Sequence, residues 1–409
     1  MALELLDPQV ETGGGTSDRE FQWTLNFGPQ HPATHTTMRF VLTLEGEKVV
    51  KAVPHIGYLH SGFEKLGEDL NLNQYVTIVD RMNYTSPLCN ELAWHHVCEK
   101  ALGIELTPRC KYIRTIINEL MRIQDHLLNI GTCALDLGAF TAFLYAFYQR
   151  ELIYDLCELA SGQRFHSSYT RVGGLLYDID DAWINKLRSF LKGFLKPYHD
   201  ICGLLNRNKI FIDRLRGIGV LSKEEAISRS ATGPIARASG VLRDLRKDEP
   251  YLAYKDFDFD VIAAREGDCL ARYQVRMAEM LESHKIISQA IENLPSGPVN
   301  VDVDGKVILP DKSATWRSIE GMIQHFELTM TNRGFKAPVD EVYGAIEGPG
   351  GELGFYLVCD GTDKSWRCRT RPPAIYHLAM FPHLIEGHML SDVVAITGSL
   401  SIIAAELDR

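Results

Sequence analysis

Between Asn26 and Phe40 the chain reads NFGPQHPATHTTMRF, with Pro29, His31, Pro32 and His35 crowded in its middle. Each proline lacks a backbone donor, fixes φ at about −65° and pushes the residue before it out of helical space. Gln30, His31 and His35 are therefore expected on a stiff, non-helical loop, which would hold an imidazole still for hydrogen bonding or proton transfer. On a helix, His31 and His35 would share one face as metal ligands, but Pro32 between them argues against a helix. A turn whose histidines cap local backbone groups accounts for the same residues.

Other side chains invite the same weighing. His95, His96 and Cys98 fall on one expected helix, about one turn apart, but no third metal ligand is near in sequence, and an ordinary amphipathic helix explains them equally. Asp136 interrupts the most apolar run of the chain, Ile130 to Phe147; a carboxylate placed there needs a partner or a proton. A cap or salt bridge would serve, and so would a role in orienting a histidine or supplying a proton. Arg81 and Tyr84, in DRMNYTSP, stand just before a helix begins, where side chains can project into a cavity. GPGGELG at 348–354 lacks the GK[ST] of a phosphate loop and reads as a tight hairpin. Without a GxGxxG or GxSxG motif, nucleotide-binding and hydrolase chemistry have no anchor.

The elements that must position these residues are mainly helical. Met38 to Leu44 and Lys48 to Val53 read as a hairpin around Glu45, Gly46 and Glu47. Ser86 with Pro87 opens a helix that Gly103 closes, and Thr107 with Pro108 opens another whose Ile113, Ile116, Ile117, Leu120, Ile123 and Leu127 make an apolar stripe. Thr141 to Gly162, Asp181 to Asn206 and Gly267 to Asn293 add three more, joined closely enough to predict a helix bundle. Ser222 and Glu225 have capping-box spacing. Towards the end, Val299 to Leu309 predicts a ribbon around Asp304 and Gly305, Ser313 to Met330 a helix, and Val342 to Arg369 paired strands. The fold expected is mainly α with small β regions, an α+β arrangement. It divides into a flexible tail over 1–20 (with GGG at 13–15), a hairpin region with the GPQHPATH loop over 21–60, a helix-bundle core over 61–298 and an α+β region over 299–409.

Composition bounds the partners. The 409 residues are 45% hydrophobic and 23% charged, with a formal charge of −10, a balance that suits a large globular protein and disfavours nucleic acid. Nine scattered cysteines form no CxxC pair, which fits a reducing compartment and free, mostly buried thiols. Residues 1–22 have neither a cationic start nor an apolar run, so no secretory leader is expected. The Ile130 to Phe147 run, broken by Asp136, Gly131 and Gly138, reads as buried interior, leaving only peripheral membrane contact.

Taken together, NFGPQHPATH (26–35), PHIGYLHSGFEK (54–65), DRMNY (80–84), NELMRI (118–123), LDLGA (135–139), GQRFH (162–166), RVGG (171–174), ASGV (238–241), GELGFYLVCDG (351–361) and the closing Asp408 and Arg409 closely resemble one family. It is the family of the D subunit of respiratory complex I, the 49 kDa subunit of the proton-pumping NADH:quinone oxidoreductase, which is similar in fold to the large subunit of nickel-iron hydrogenases. The hydrogenase thiolate pairs are missing, since Cys89 stands alone near Arg81 and no cysteine follows Cys368. The resemblance therefore implies no metal and no cofactor bound by this chain, with quinone as substrate and a [4Fe-4S] cluster in the adjacent small iron-sulfur (B) subunit. The C and I subunits and the membrane-embedded H subunit are the further partners implied, on the cytoplasmic face of a bacterial inner membrane.

By the same resemblance His35 and Tyr84 match the two ligands of the quinone head, and Asp136 the carboxylate that partners the histidine. Donors at both carbonyls would favour reduction as an oxyanion hole does. An imidazole, ordinarily near a pKa of about 6.5, donates at neutral pH, and a carboxylate beside it raises the protonated fraction. Arg81 and His166 match positions beside the partner's cluster, where positive charge favours the reduced state. Thr36, Asn83 and Ser401 depart from the family's usual glycine, aspartate and aspartate. A hydrogenase-like or ferredoxin-driven membrane complex, or a non-catalytic scaffold of the same fold, is the competing reading.

Overall fold

A computed structural model of the chain describes residues 22–34, 36–302, 307–330 and 333–409. Its first sheet has three antiparallel strands in the order β1 (Gln22–Phe27), β2 (Arg39–Glu45) and β3 (Lys48–His55). Along β2, Phe40, Leu42 and Leu44 are buried while the residues between them are not, so the period of two points one face at the core. The predicted hairpin is β2 with β3. β1 was not anticipated; its register, Gln22 opposite Glu45 and Phe27 opposite Phe40, carries the chain straight into the proline-histidine loop. At the start of that loop Gly28 has φ +88, and a Cβ there would lie 2.3 Å from the Met38 carbonyl oxygen. Only glycine fits so tight a return. Pro32–Thr34 forms one 3-10 turn, shorter than any α-helix, so His31 stands outside regular structure.

Five long helices form the body: α1 (Pro87–Leu102), α2 (Pro108–Asp136), α3 (Phe140–Ser161), α4 (Asp181–Asn206) and α5 (Cys269–Glu292). Their ends follow the local chemistry. The Thr107 side chain caps α2 by accepting from the Cys110 N–H at 3.3 Å, with Pro108 in the first turn. Gly103 and Gly162 close α1 and α3 in left-handed conformation. α2 is about 43 Å long at 1.5 Å per residue and packs against α3, α5, α1 and the helix Asp392–Leu400. Its stripe Ile113, Ile116, Ile117, Leu120, Ile123 and Leu127 is buried, each side chain contributing about 1.5–3 kcal/mol.

Between α3 and α4 lies a short hairpin, β4 (Thr170–Arg171) with β5 (Gly174–Leu175). A second three-stranded antiparallel sheet, β6 (Asp340–Gly348), β7 (Gly351–Cys359) and β8 (Ser365–Arg371), packs on α1. Gly348 opposite Gly351 makes GPGGELG a two-residue hairpin turn. Ser222 and Glu225 form the capping box.

Three expectations are corrected. The run Ile130 to Phe147 is not uniformly interior: α2 ends at Asp136, the chain turns through Gly138 (φ +85) and α3 starts outward, leaving Phe140 and Leu144 about half exposed. Ser313 to Met330 is two helices, Lys312–Arg317 and Ile319–Thr329, because Ser318 is extended and caps the second. Of the ribbon expected over Val299 to Leu309, Asp304 and Gly305 lie outside the described residues and the described flanks are not strands. No helix among the described residues is long and apolar enough to cross a membrane.

Candidate functional site

Tyr84 lies in the segment that joins the short helix Val76–Val79 to α1, between buried Asn83 and Thr85. That segment is fixed from three sides. Asn83 Nδ2 donates to Glu406 Oε2 at 3.0 Å, and Asn90 Nδ2 donates to the Asn83 carbonyl at 3.3 Å. The Thr85 hydroxyl sits between Asn83 Oδ1 and the Asp125 carboxylate, while Gln124 Nε2 donates to the Thr85 carbonyl at 2.8 Å. With its neighbours held, the Tyr84 ring has one place to be. Its hydroxyl makes no hydrogen bond among the described residues. Burial, then the charges of Glu406 and Asp125, push its pKa above the ordinary phenol value. Tyr84 is thus a protonated, unspent donor.

Asp136 is the last residue of α2 and is half-buried. Burial raises its pKa, and His31 offsets part of that rise, so the imidazole close enough to act on Asp136 among the described residues is His31. The sequence placed His31 on a stiff loop but gave it no partner. His35, the histidine expected to partner Asp136, lies outside the described residues. The Ala33 N–H donates to His31 Nδ1 at 3.1 Å, so a neutral His31 carries its proton on Nε2, and the ring packs on Phe27 at 4.3 Å between centroids. The 3-10 turn that follows rests on the helix Asp392–Leu400. Asp125, beside Tyr84, and Asp136 are eleven residues apart on α2, about 16 Å along its axis; the two groups mark two ends of one face.

Arg81 and His166 form a second group. Arg81 is exposed and donates to the Thr77 carbonyl at 2.5 Å. His166 is half-buried, with a backbone φ of +52 and its ring against Phe165 at 4.1 Å. Burial and the Arg81 charge lower its pKa, against a hydrogen bond to the Asp80 backbone that raises it. At neutral pH the ring is therefore mostly uncharged and able to take up a proton if negative charge arrives nearby.

Several polar residues at this end of the molecule carried no sequence signal. Asp125, Gln124 and His126 are buried on α2, where the apolar stripe dominates the pattern and hides the inward polar positions. Glu406 is fully buried, and burial with the Asp125 charge pushes its pKa up to about 8. Asp408, which the resemblance did include, accepts from the Gly57 and Leu59 N–H groups at 2.8 and 2.7 Å, tying the last helix to the segment after β3.

His95 is buried and its Nδ1 bonds Thr170 Oγ1 at 2.7 Å, which is a core histidine. Among the described residues no group of three His, Cys, Asp or Glu side chains could hold a metal ion, and all nine cysteines are free. Roomy clefts of about 610 and 670 Å³ are lined by residues such as Trp316 and His325 or Leu328 and Lys336, not by Tyr84, Asp136 or His166. What this chain offers at those residues is a face carrying donors.

The family described as the 49 kDa subunit of the respiratory-chain NADH dehydrogenase matches residues 136–409. Three relatives are similar over nearly the whole chain. The NADH-quinone oxidoreductase D subunit of Methylacidiphilum infernorum is 46% identical over 385 residues, 94% of this chain and 91% of the relative. That of Ehrlichia chaffeensis is 46% identical over 386 residues, 94% and 98% respectively. The D subunit numbered 1 of Chloroherpeton thalassium is 47% identical over 385 residues, 94% and 87%.

Proposed function

The chain belongs to the 49 kDa subunit family of the respiratory-chain NADH dehydrogenase, and from that premise we propose that it is the quinone-facing subunit of a proton-pumping NADH:quinone oxidoreductase. Its relatives are named as subunits of an NADH-quinone oxidoreductase. The observation that carries the reading to particular residues is the unspent hydroxyl of Tyr84, kept protonated by burial and by Glu406 and Asp125.

Quinone reduction consumes two electrons and two protons, and the electrons come from a [4Fe-4S] cluster of the small iron-sulfur subunit. This chain's residues supply the polar half of the chemistry. Tyr84 donates to one carbonyl of the quinone head and holds a proton at its hydroxyl oxygen. By the resemblance His35 is the donor to the other carbonyl, and Asp136, on which His31 acts, would favour a protonated imidazole there. Donors waiting where negative charge develops lower the barrier without reorganising. Arg81 and His166 form the electron-entry side, where a fixed positive charge and a proton-accepting ring stabilise arriving negative charge.

The B, C and I subunits and the membrane-embedded H subunit complete the assembly, and the chain sits peripherally on the cytoplasmic face of the inner membrane. A complex purified through a tag on this chain should oxidise NADH, reduce quinone and contain the small iron-sulfur subunit. A complex that reduces quinone only with another donor, such as reduced ferredoxin, would overturn the NADH assignment.

A further inference from the structure

Beneath Arg81 and His166 two acidic side chains meet out of reach of solvent. Asp80 precedes Arg81 and Glu91 lies on α1; both are fully buried, both are bonded to the Ser168–Thr170 segment, and each carboxyl group acts on the other as a hydrogen-bonding neighbour. The outer oxygens are satisfied. Ser168 Oγ donates to Asp80 Oδ2 at 3.0 Å, and the Thr170 N–H and hydroxyl donate to Glu91 Oε2 at 2.9 and 3.0 Å. The inner oxygens, Asp80 Oδ1 and Glu91 Oε1, are enclosed with no donor from any other described residue.

The surrounding groups do not resolve this. Arg171 is close enough for its charge to be felt, but it spends donors on the Ser168 and Thr170 carbonyls at 2.5 and 2.7 Å. Arg81 is turned to the Thr77 carbonyl. From α1, His95 gives its Nδ1 proton to Thr170 Oγ1, whose own proton goes to Glu91. From α3, Cys157 is a buried thiol held un-ionised by burial and by Glu91. His166 faces the Asp80 backbone, not its carboxyl. Neither carboxylate has an ion-pair partner within salt-bridge range among the described residues.

Counting protons then leaves one arrangement. With none, two negative charges would touch in a buried site with no donor between them, which like charges at that range do not tolerate. With two, one O–H would lack an acceptor, because the outer oxygens are already taken. We propose that Asp80 and Glu91 share a single proton, forming a one-proton site that clamps the loop carrying His166 onto α1. The direction of both pKa values, raised by burial, agrees with a pair that titrates as a unit.

The clamp has a mechanical purpose. His166 and Ser168 have φ of +52 and +41, which side chains other than glycine rarely adopt. The outer contacts to Ser168 and Thr170 hold that backbone in place, and the shared proton keeps the two anchors together. His166, whose ring bonds the Asp80 backbone, thereby receives a fixed orientation from two carboxyl groups that do not themselves touch the ring. Asp80 and Glu91 are positioning residues in this sense.

The test counts protons released when the full chain is unfolded at neutral pH in weakly buffered denaturant. It does not depend on the quinone assignment. The unfolded chain has both acids ionised, so wild type releases the shared proton. Asp80→Asn and Glu91→Gln each place an amide N–H where the proton was, leave the remaining acid ionised, and should each release one proton fewer than wild type. The double variant should release the same number as either single one. Equal release from wild type and both single variants would overturn the proposal, and so would a further loss of one proton in the double variant, which signals two protons. If only one single variant folds, its comparison with wild type decides between one proton and none. Failure of both to fold would also count against the clamp, since each amide reproduces the contact the proton makes.

Discussion

Glu406 reaches across 323 positions of sequence to accept a hydrogen bond from Asn83 at 3.0 Å, next to Tyr84. Buried carboxyls so placed are rarely indifferent to pH. Burial and Asp125 push Glu406 up to about 8 from an ordinary 4.5, against the Ala374 N–H and Asn83, which pull it down.

The folded state therefore binds a proton that the unfolded state releases above pH 4.5 or so. A raised carboxyl pKa makes stability fall as pH rises from the unfolded value to the folded one, by about 1.4 kcal/mol per pH unit, and level off beyond it. Glu406→Gln stays neutral throughout. The gap in melting temperature between wild type and this variant should move in the variant's favour between pH 5 and pH 8 and stay constant above that. A gap that does not change with pH would mean that Glu406 is ionised in the fold.

Arg114 and Glu99 form a two-pronged ion pair at 2.8 and 2.9 Å, buried between α2 and α1, and the same guanidinium donates to the Arg171 and Gly174 carbonyls. Breaking a buried pair from one side leaves the other charge stranded, at a cost of about 3–5 kcal/mol. Glu99→Ala should lower the denaturation midpoint accordingly and loosen the β4–β5 hairpin, whose Gly173 N–H also rests on Glu99 at 2.8 Å. Equilibrium unfolding in urea measures it; a change below about 1 kcal/mol, the range of a surface pair, would contradict the account.

His166 is held mostly neutral by burial and by Arg81. If it lies beside the partner's cluster, reduction should draw a proton onto its ring and tie the cluster potential to pH. His166→Met cannot take up that proton. Redox titrations of the assembled complex at several pH values should show a slope in wild type and none in the variant; a slope unchanged by the substitution would assign the coupling to another group.

Much of the fold was legible because its signals are local. Caps and breakers such as Thr107, Pro108, Gly103 and Gly162 act within one turn, and α1, α2 and α4 begin and end close to where such residues stand. Pairing across long distances was not legible. Gln22 to Phe27 alternates polar and apolar residues as a strand does, but its partner β2 lies beyond the proline-histidine loop, and no local signal gives that pairing. The site divides the same way. Tyr84 and Asp136 were singled out as candidates from the sequence, whereas Glu406, Asp125 and the Asp80–Glu91 pair are placed by neighbours 11 to 323 positions away. His31 stands beside His35 in the sequence, but no local rule says that it acts on a carboxylate more than 100 residues later.

The most direct test is quinone reduction in membranes carrying Tyr84→Phe. Phenylalanine keeps the ring and its packing and removes only the donor, and loss of one well-placed donor to a developing oxyanion costs about 10² to 10³ in rate. His35→Ala should fall comparably, and Asp136→Asn less, since it keeps its size and one hydrogen bond but loses the charge that favours a protonated imidazole. With the complex shown by blot to be assembled, the account predicts that Tyr84→Phe loses inhibitor-sensitive quinone reduction while NADH oxidation by an artificial upstream acceptor is unchanged. Near-normal, inhibitor-sensitive quinone reduction in that variant would contradict it.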